Sequence, residues 1–129
     1  MALSPDGIAE GLNKDALHVD MSTIAPSTHA ADRRGSAYAQ RGLKLIDCPV
    51  GKTRDHAVAG TLTLMAGGGA ASSNARPILA ACMGDTFFHC GGLGAGETIK
   101  LVNNRLAATI IGAVSEALVP APRPGSPSP

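Results

Sequence analysis

Short apolar runs, each closed by polar, glycine or proline residues, alternate with helix-compatible stretches along this chain. That order constrains its fold more than any other feature. Ala16 to Met21 is an apolar run ending at the hydroxyl pair Ser22-Thr23, the pattern of a buried strand that delivers side chains at its C-terminal end. Pro26 and Ser27 open a helical stretch reaching about Gly42, where glycine stops it. Leu43 to Cys48 alternates as a strand and ends at Pro49, the loop from Gly51 to Asp55 is polar, and Thr61 to Ala66 alternates again up to Gly67-Gly68-Gly69. Ser72 to Met83 reads as a helix. Pro77 has no N–H to give an interior turn, so the helix is predicted to begin near Asn74 to Arg76, with the proline in its first turn. Asp85 to Cys90 is a further short strand, and four glycines between Gly91 and Gly96 lead into a long helix from about Glu97 to Leu118. Strands alternating with helices indicate an α/β fold.

Composition narrows what such a fold can do. The 129 residues give room for one modest domain, and 44% apolar with 16% charged residues is a globular balance. Aromatics are only 2%, so the core is expected to be built from small aliphatic side chains. A net charge of +1 supplies no basic field for a nucleic-acid backbone, so no nucleic-acid partner is expected. No apolar stretch is long enough for a membrane span and no leader pattern opens the chain, which predicts no membrane partner and a cytoplasmic location. Cys48, Cys82 and Cys90 are an odd number without C-x-x-C or histidine spacing. They read as reduced, buried small residues, and no metal site is predicted. The tail 120–129 holds five of the nine prolines and is expected to be extended or disordered.

Two constellations can carry chemistry. Gly51-Lys52-Thr53 looks like the end of a phosphate-binding loop, but the required earlier glycine is replaced by Ile46 and Pro49 interrupts the segment. What survives is a cation and a hydroxyl on a strand-end loop, able to hold a small anion; the plainer alternative is a solvated turn lysine. On the long helix, Gly96, Lys100, Asn104 and Ala107 share one face. A lysine beside a carbonyl can protonate its oxygen as hydride arrives, and an asparagine can orient both. Spacing alone also allows Lys100 to be an ordinary solvated lysine.

Four stretches in order make the chain recognisable: Asp20-Met21-Ser22-Thr23-Ile24-Ala25-Pro26, Asp47-Cys48-Pro49-Val50-Gly51, Gly60-Thr61-Leu62-Thr63-Leu64-Met65-Ala66-Gly67-Gly68, and Gly91-Gly92-Leu93-Gly94-Ala95-Gly96-Glu97-Thr98-Ile99-Lys100-Leu101-Val102-Asn103-Asn104. With them the chain resembles the β-hydroxyacid dehydrogenase family, 3-hydroxyisobutyrate dehydrogenase and its relatives. The resemblance implies the second half of a Rossmann-type NAD(P)-binding domain over 1–94, followed by the start of the long interdomain helix over 95–119, which carries the catalytic residue. It implies hydride transfer between NAD or NADP and a small 3-hydroxy acid or its aldehyde. Lys100 matches the catalytic lysine, and Asn103 and Asn104 match the substrate-holding asparagines. Ser22 stands near the substrate, and Thr23 at the cofactor. Gly51, Lys52 and Thr53 match the substrate loop, most similar there to the sulfolactaldehyde reductase branch, with Lys52 in place of that branch's arginine. A carboxylate or sulfonate substrate and a homo-oligomeric parent enzyme are implied as well.

The departures shape a second set of expectations. No G-x-G-x-x-G turn occurs; the nearest approach, Gly92-Leu93-Gly94-Ala95-Gly96-Glu97, has Glu97 where the last glycine belongs. The helical domain that follows in the family is replaced by the proline-rich tail. The chain is therefore expected to be the middle of an enzyme, with half of a parallel sheet missing, an exposed sheet edge, marginal stability and no activity as this truncated chain. A non-catalytic module in which Lys52, Thr53 and Lys100 hold a small acid without cofactor is the alternative reading, and a non-functional gene remnant is the third.

Overall fold

Parallel pairing and antiparallel pairing meet in one sheet. In a computed structural model, which describes residues 2–25 and 35–119, strand β1 (Leu17–Asp20) runs parallel to β2 (Lys44–Asp47), with Val19 opposite Ile46. Strands β2 and β3 (Val50–Gly51) both run antiparallel to β4 (Thr63–Gly67), Asp47 facing Gly67 and Val50 facing Leu64. They are successive segments along β4, broken at Cys48-Pro49, where proline has no N–H to donate; the Pro49 carbonyl still accepts from the Met65 N–H at 3.1 Å. Strand β5 (Thr86–Gly91) lies parallel to β4.

The sheet is thus mixed, correcting the expectation of a parallel one. The connection from β3 to β4, residues 52–62, is too short for the crossover of a dozen or more residues that parallel neighbours need. Its middle forms a short helix, Arg54–Val58, which three polar residues followed by two apolar ones do not announce by periodicity. The same holds for the first helix, α1 (Ile8–Gly11). Helix α2 (Ser36–Gln40) is the described part of the stretch expected from Pro26 to Gly42; residues 26–34 lie outside the described residues. Counting Arg54–Val58 as α3, the next helix, α4 (Ala70–Cys82), begins earlier than predicted and keeps Pro77 in its interior. Pro77 and Ser73 one turn before it are both exposed, so water can take the carbonyl that the proline leaves without a donor. Helix α5 (Ala95–Leu118) packs its start against β4 and β5.

Two small clusters form the interior. In one, fully buried Tyr38 packs with Ala9, Leu43 and Leu45, and its hydroxyl meets His18 Nδ1 at 2.6 Å. In the other, Cys48, Leu64 and Ala66 are covered by Val19, Val50, Leu79 and Phe87 among others. Small aliphatics build the second cluster as expected, whereas the single tyrosine anchors the first. All three cysteines are free, yet only Cys48 is buried; Cys82 is exposed and Cys90 half-buried, which corrects the expectation that all three are interior. Cys82 ends α4, where no described element covers it. No described helix is long and apolar enough to cross a membrane. The proline-rich tail, 120–129, lies outside the described residues.

Candidate functional site

The site is organised around the beginning of α5. A helix start leaves backbone N–H groups without intrahelical acceptors. Here the fully buried carboxylate of Asp47, at the end of β2, takes two donors at once: Gly94 N–H to Oδ1 at 2.7 Å and Glu97 N–H to Oδ2 at 2.9 Å. The glycine-rich approach makes room for it. Gly94 adopts φ +89°, which strains any residue with a side chain, and a Cβ on Gly96 would run into the Met65 carbonyl and Asp47 Oδ2. The glycines therefore bring backbone onto a protein carboxylate, a use that their sequence pattern does not distinguish from ligand binding.

Glu97, one residue into this arrangement, is also fully buried, and its Oε2 accepts the Ile24 N–H at 3.1 Å. Burial pushes its carboxyl above the usual range, and the charges of Asp47 and Asp20 push the same way; the Ile24 N–H and the Lys100 ammonium pull it down. The loop after β1, residues 21–25, is thereby held to the helix that carries Lys100. Within it Ser22 and Thr23 are exposed, and the Ser22 N–H bonds back to Asp20 Oδ1 at 2.9 Å. The neighbouring Cys48 thiol is pushed up to about 11 by burial first, then by Asp47 and Cys90, so it stays protonated at neutral pH and is a packing group.

A cleft of about 440 Å³ opens on another side of α5, lined by Gly51, Lys52, Thr63, Met65, Phe88, Ile99 and Asn103. Lys52 has φ +76°, unusual for a residue with a side chain, and donates from Nζ to the Thr61 carbonyl at 2.6 Å. One of its three donors is used there, leaving two for another acceptor. Thr53 Oγ1 instead meets His56 Nδ1 at 2.8 Å, at the start of α3.

The predicted residues thus divide between two places. Gly51, Lys52 and Asn103 meet in the cleft. Ser22 and Thr23 sit on the loop tied to Glu97, with half-buried Lys100 close enough for its charge to act on that carboxylate. Thr53 is engaged by His56, and Asn104 is an exposed residue on α5. The sequence reading missed Asp47 and Glu97 as organisers. Asp47 lies within one of the family-like stretches, but a carboxylate that caps a helix from 47 residues away leaves no local signal. In the sequence Glu97 stands out only as the residue in place of a glycine.

Comparison with known proteins identifies the family. Residues 1–92 match the family described as the NAD binding domain of 6-phosphogluconate dehydrogenase. The chain is 41% identical over 115 residues to the 3-sulfolactaldehyde reductase of Escherichia coli (strain K12), covering 88% of this chain and 38% of that protein. It is 40% identical over 118 residues to the mitochondrial 3-hydroxyisobutyrate dehydrogenase of Drosophila melanogaster, covering 91% of this chain and 36% of that protein. A solved structure of Mycobacterium tuberculosis 3-hydroxyisobutyrate dehydrogenase with L-serine superposes with a TM-score of 0.74 at 31% identity, over 86% of this chain and 38% of that one. The chain spans a little over a third of the length of these relatives. By its matched NAD-binding domain and its aligned relatives, this chain belongs to the β-hydroxyacid dehydrogenase family.

Proposed function

We propose that this chain is the substrate-facing part of an NAD(P)-dependent oxidoreductase that interconverts a short 3-hydroxy acid and its aldehyde, with residues 1–94 as the partial cofactor domain and 95–119 as the catalytic helix. The observation that carries the reading is the cleft in which Gly51, Lys52 and Asn103 meet beside the helix bearing Lys100. Lys52 keeps two N–H donors for the acid group, a carboxylate or a sulfonate, and the carboxamide of Asn103 reaches the same space. Lys100 gives a proton to the carbonyl oxygen in reduction and takes it back in oxidation, and Asn104 one turn along orients the same oxygen. Ser22 holds the substrate side of the strand-end loop and Thr23 its cofactor side. The nicotinamide, when bound, supplies or accepts the hydride. The chain's residues fit that end of the cofactor only: the exposed hydroxyls of Ser22 and Thr23 are available to it, but no G-x-G-x-x-G turn is present to seat a pyrophosphate. Residues 1–129 by themselves are accordingly inactive in this reading, which also includes a cytoplasmic location and a homo-oligomeric enzyme.

A chimera tests the proposal. Residues 15–118 replace the aligned segment of the E. coli 3-sulfolactaldehyde reductase, and NADH oxidation is followed with sulfolactaldehyde and with a carboxylate analogue. Turnover that is lost on Lys100→Ala supports the reading; a folded, cofactor-binding chimera indifferent to Lys100→Ala overturns it.

A further inference from the structure

Ser22 and Thr23 belong to one element and Lys100 to another, 77 residues on from Thr23, yet the reading above needs them at a fixed separation. In the described structure the Glu97 carboxylate links the two elements, accepting the Ile24 N–H from a position one helical turn before Lys100. Its own backbone N–H is anchored to Asp47 Oδ2, so the end of β2, the first turn of α5 and the loop after β1 form one hydrogen-bonded chain. We propose that Glu97 is a positioning residue that fixes the Ser22–Thr23 loop against the helix carrying Lys100. This rests on the oxidoreductase reading for its purpose.

Three observations support it. Glu97 is fully buried, which an exposed helix-start glutamate serving only the helix dipole would not be. It reaches across the fold to a main-chain donor, so the bond fixes backbone and not merely another side chain. The site also spends stability on it: burial and the Asp47 and Asp20 charges from β2 and β1 oppose its ionisation, while the Ile24 N–H and the Lys100 charge favour it. A leucine or glutamine at this place would pack without that cost, so what the carboxylate adds is the strength of a charge-assisted bond to the loop. That bond strengthens when Glu97 ionises and weakens when it is protonated, giving the loop a pH response of its own.

Backbone amide NMR of the full chain between pH 4 and pH 8 tests the inference without substrate or cofactor. The Ile24 amide proton is expected to move downfield as pH rises, with a midpoint above the ordinary 4.5 and shared with the Glu97 side-chain carboxyl carbon. The Thr23 amide should follow the same midpoint, whereas the Ser22 amide, bonded to Asp20 Oδ1, also reports that carboxylate. Glu97→Gln keeps a carbonyl acceptor but has no proton to gain, so it should retain the fold and abolish the titration at the Ile24 and Thr23 amides. A flat Ile24 profile overturns the proposal, as does an Ile24 titration that persists in Glu97→Gln or a Thr23 amide that stays still while Ile24 moves. If the variant fails to fold, the shared midpoint of Ile24 and the Glu97 carboxyl in the unaltered chain still decides it. An inactive chimera beside a titrating Ile24 removes the proposed activity and leaves the positioning contact, whereas an active chimera beside a flat Ile24 does the reverse.

Discussion

The two ends of helix α5 live under different physics. Its first turn is sunk into the sheet, with Gly94, Gly96 and Glu97 buried and Asp47 satisfying two of its backbone donors. From Leu101 to Val119 every residue is exposed, although Leu101, Val102, Leu106, Ile110, Ile111 and Val114 are large and apolar. Both ends belong to one continuous helix, Ala95–Leu118. What differs is the reason for each residue. In the first turn, glycines and carboxylates are there because the tertiary structure needs close approach and acceptors. In the remainder, large apolar side chains are left exposed and no described element packs over them. Lys100, half-buried, stands at the boundary between the two regimes.

The largest effect expected across that boundary is chemical. In the chimera, Lys100→Ala should lower kcat by about two to four orders of magnitude, the range that general acid–base catalysis supplies, with a smaller change in cofactor affinity. Steady-state kinetics at saturating cofactor measure it, and the same truncation at Asn104 should cost much less.

A stability contrast comes next. Asp47→Ala strands two buried N–H groups and should destabilise the chain by about 2–5 kcal/mol, or unfold it outright. Leu106→Ala, on the exposed stretch, should change stability by less than about 0.5 kcal/mol. Urea denaturation followed by circular dichroism compares them, and equal effects would erase the distinction between the two ends.

Cofactor binding sharpens the comparison from the other side. Because a helix start that already gives its N–H groups to Asp47 has none of those to offer a pyrophosphate, and the sequence holds no fingerprint turn, NADH should bind the isolated chain more weakly than the micromolar range. A fluorescence titration decides this, and a micromolar Kd would refute it.

Two smaller effects complete the series. Lys52→Arg in the chimera should favour the sulfonate over the carboxylate substrate a few fold, about 1 kcal/mol, since a guanidinium engages two oxygens together while both side chains supply the charge. The ratio of kcat/KM values reads it. For Glu97 the sign of the pH effect follows from its raised carboxyl: between the ordinary 4.5 and the higher folded value, the folded chain binds more protons than the unfolded one. Its contribution to stability is therefore present in full below pH 4.5 and is lost as pH rises through the folded value. Stability of Glu97→Gln, measured across the same range, should lack that decline.

The sequence by itself determined the alternation of elements, the strand end before Ser22-Thr23, and the long helix after the glycines. It also carried the family, because those signals are local: a run of a few residues and its punctuation suffice to read them. Pro77 misled the reading of α4, since the cost of an interior proline depends on whether the orphaned carbonyl reaches water, and Ser73 is exposed. The antiparallel turn of β4 followed from the length of one connection, a quantity visible in the chain but not in any single motif. Only the tertiary structure decided what Asp47 and Glu97 do. Their partners lie 47, 50 and 73 positions away, and a buried carboxylate is defined by the donors that the folded chain brings to it, which no stretch of neighbouring residues records.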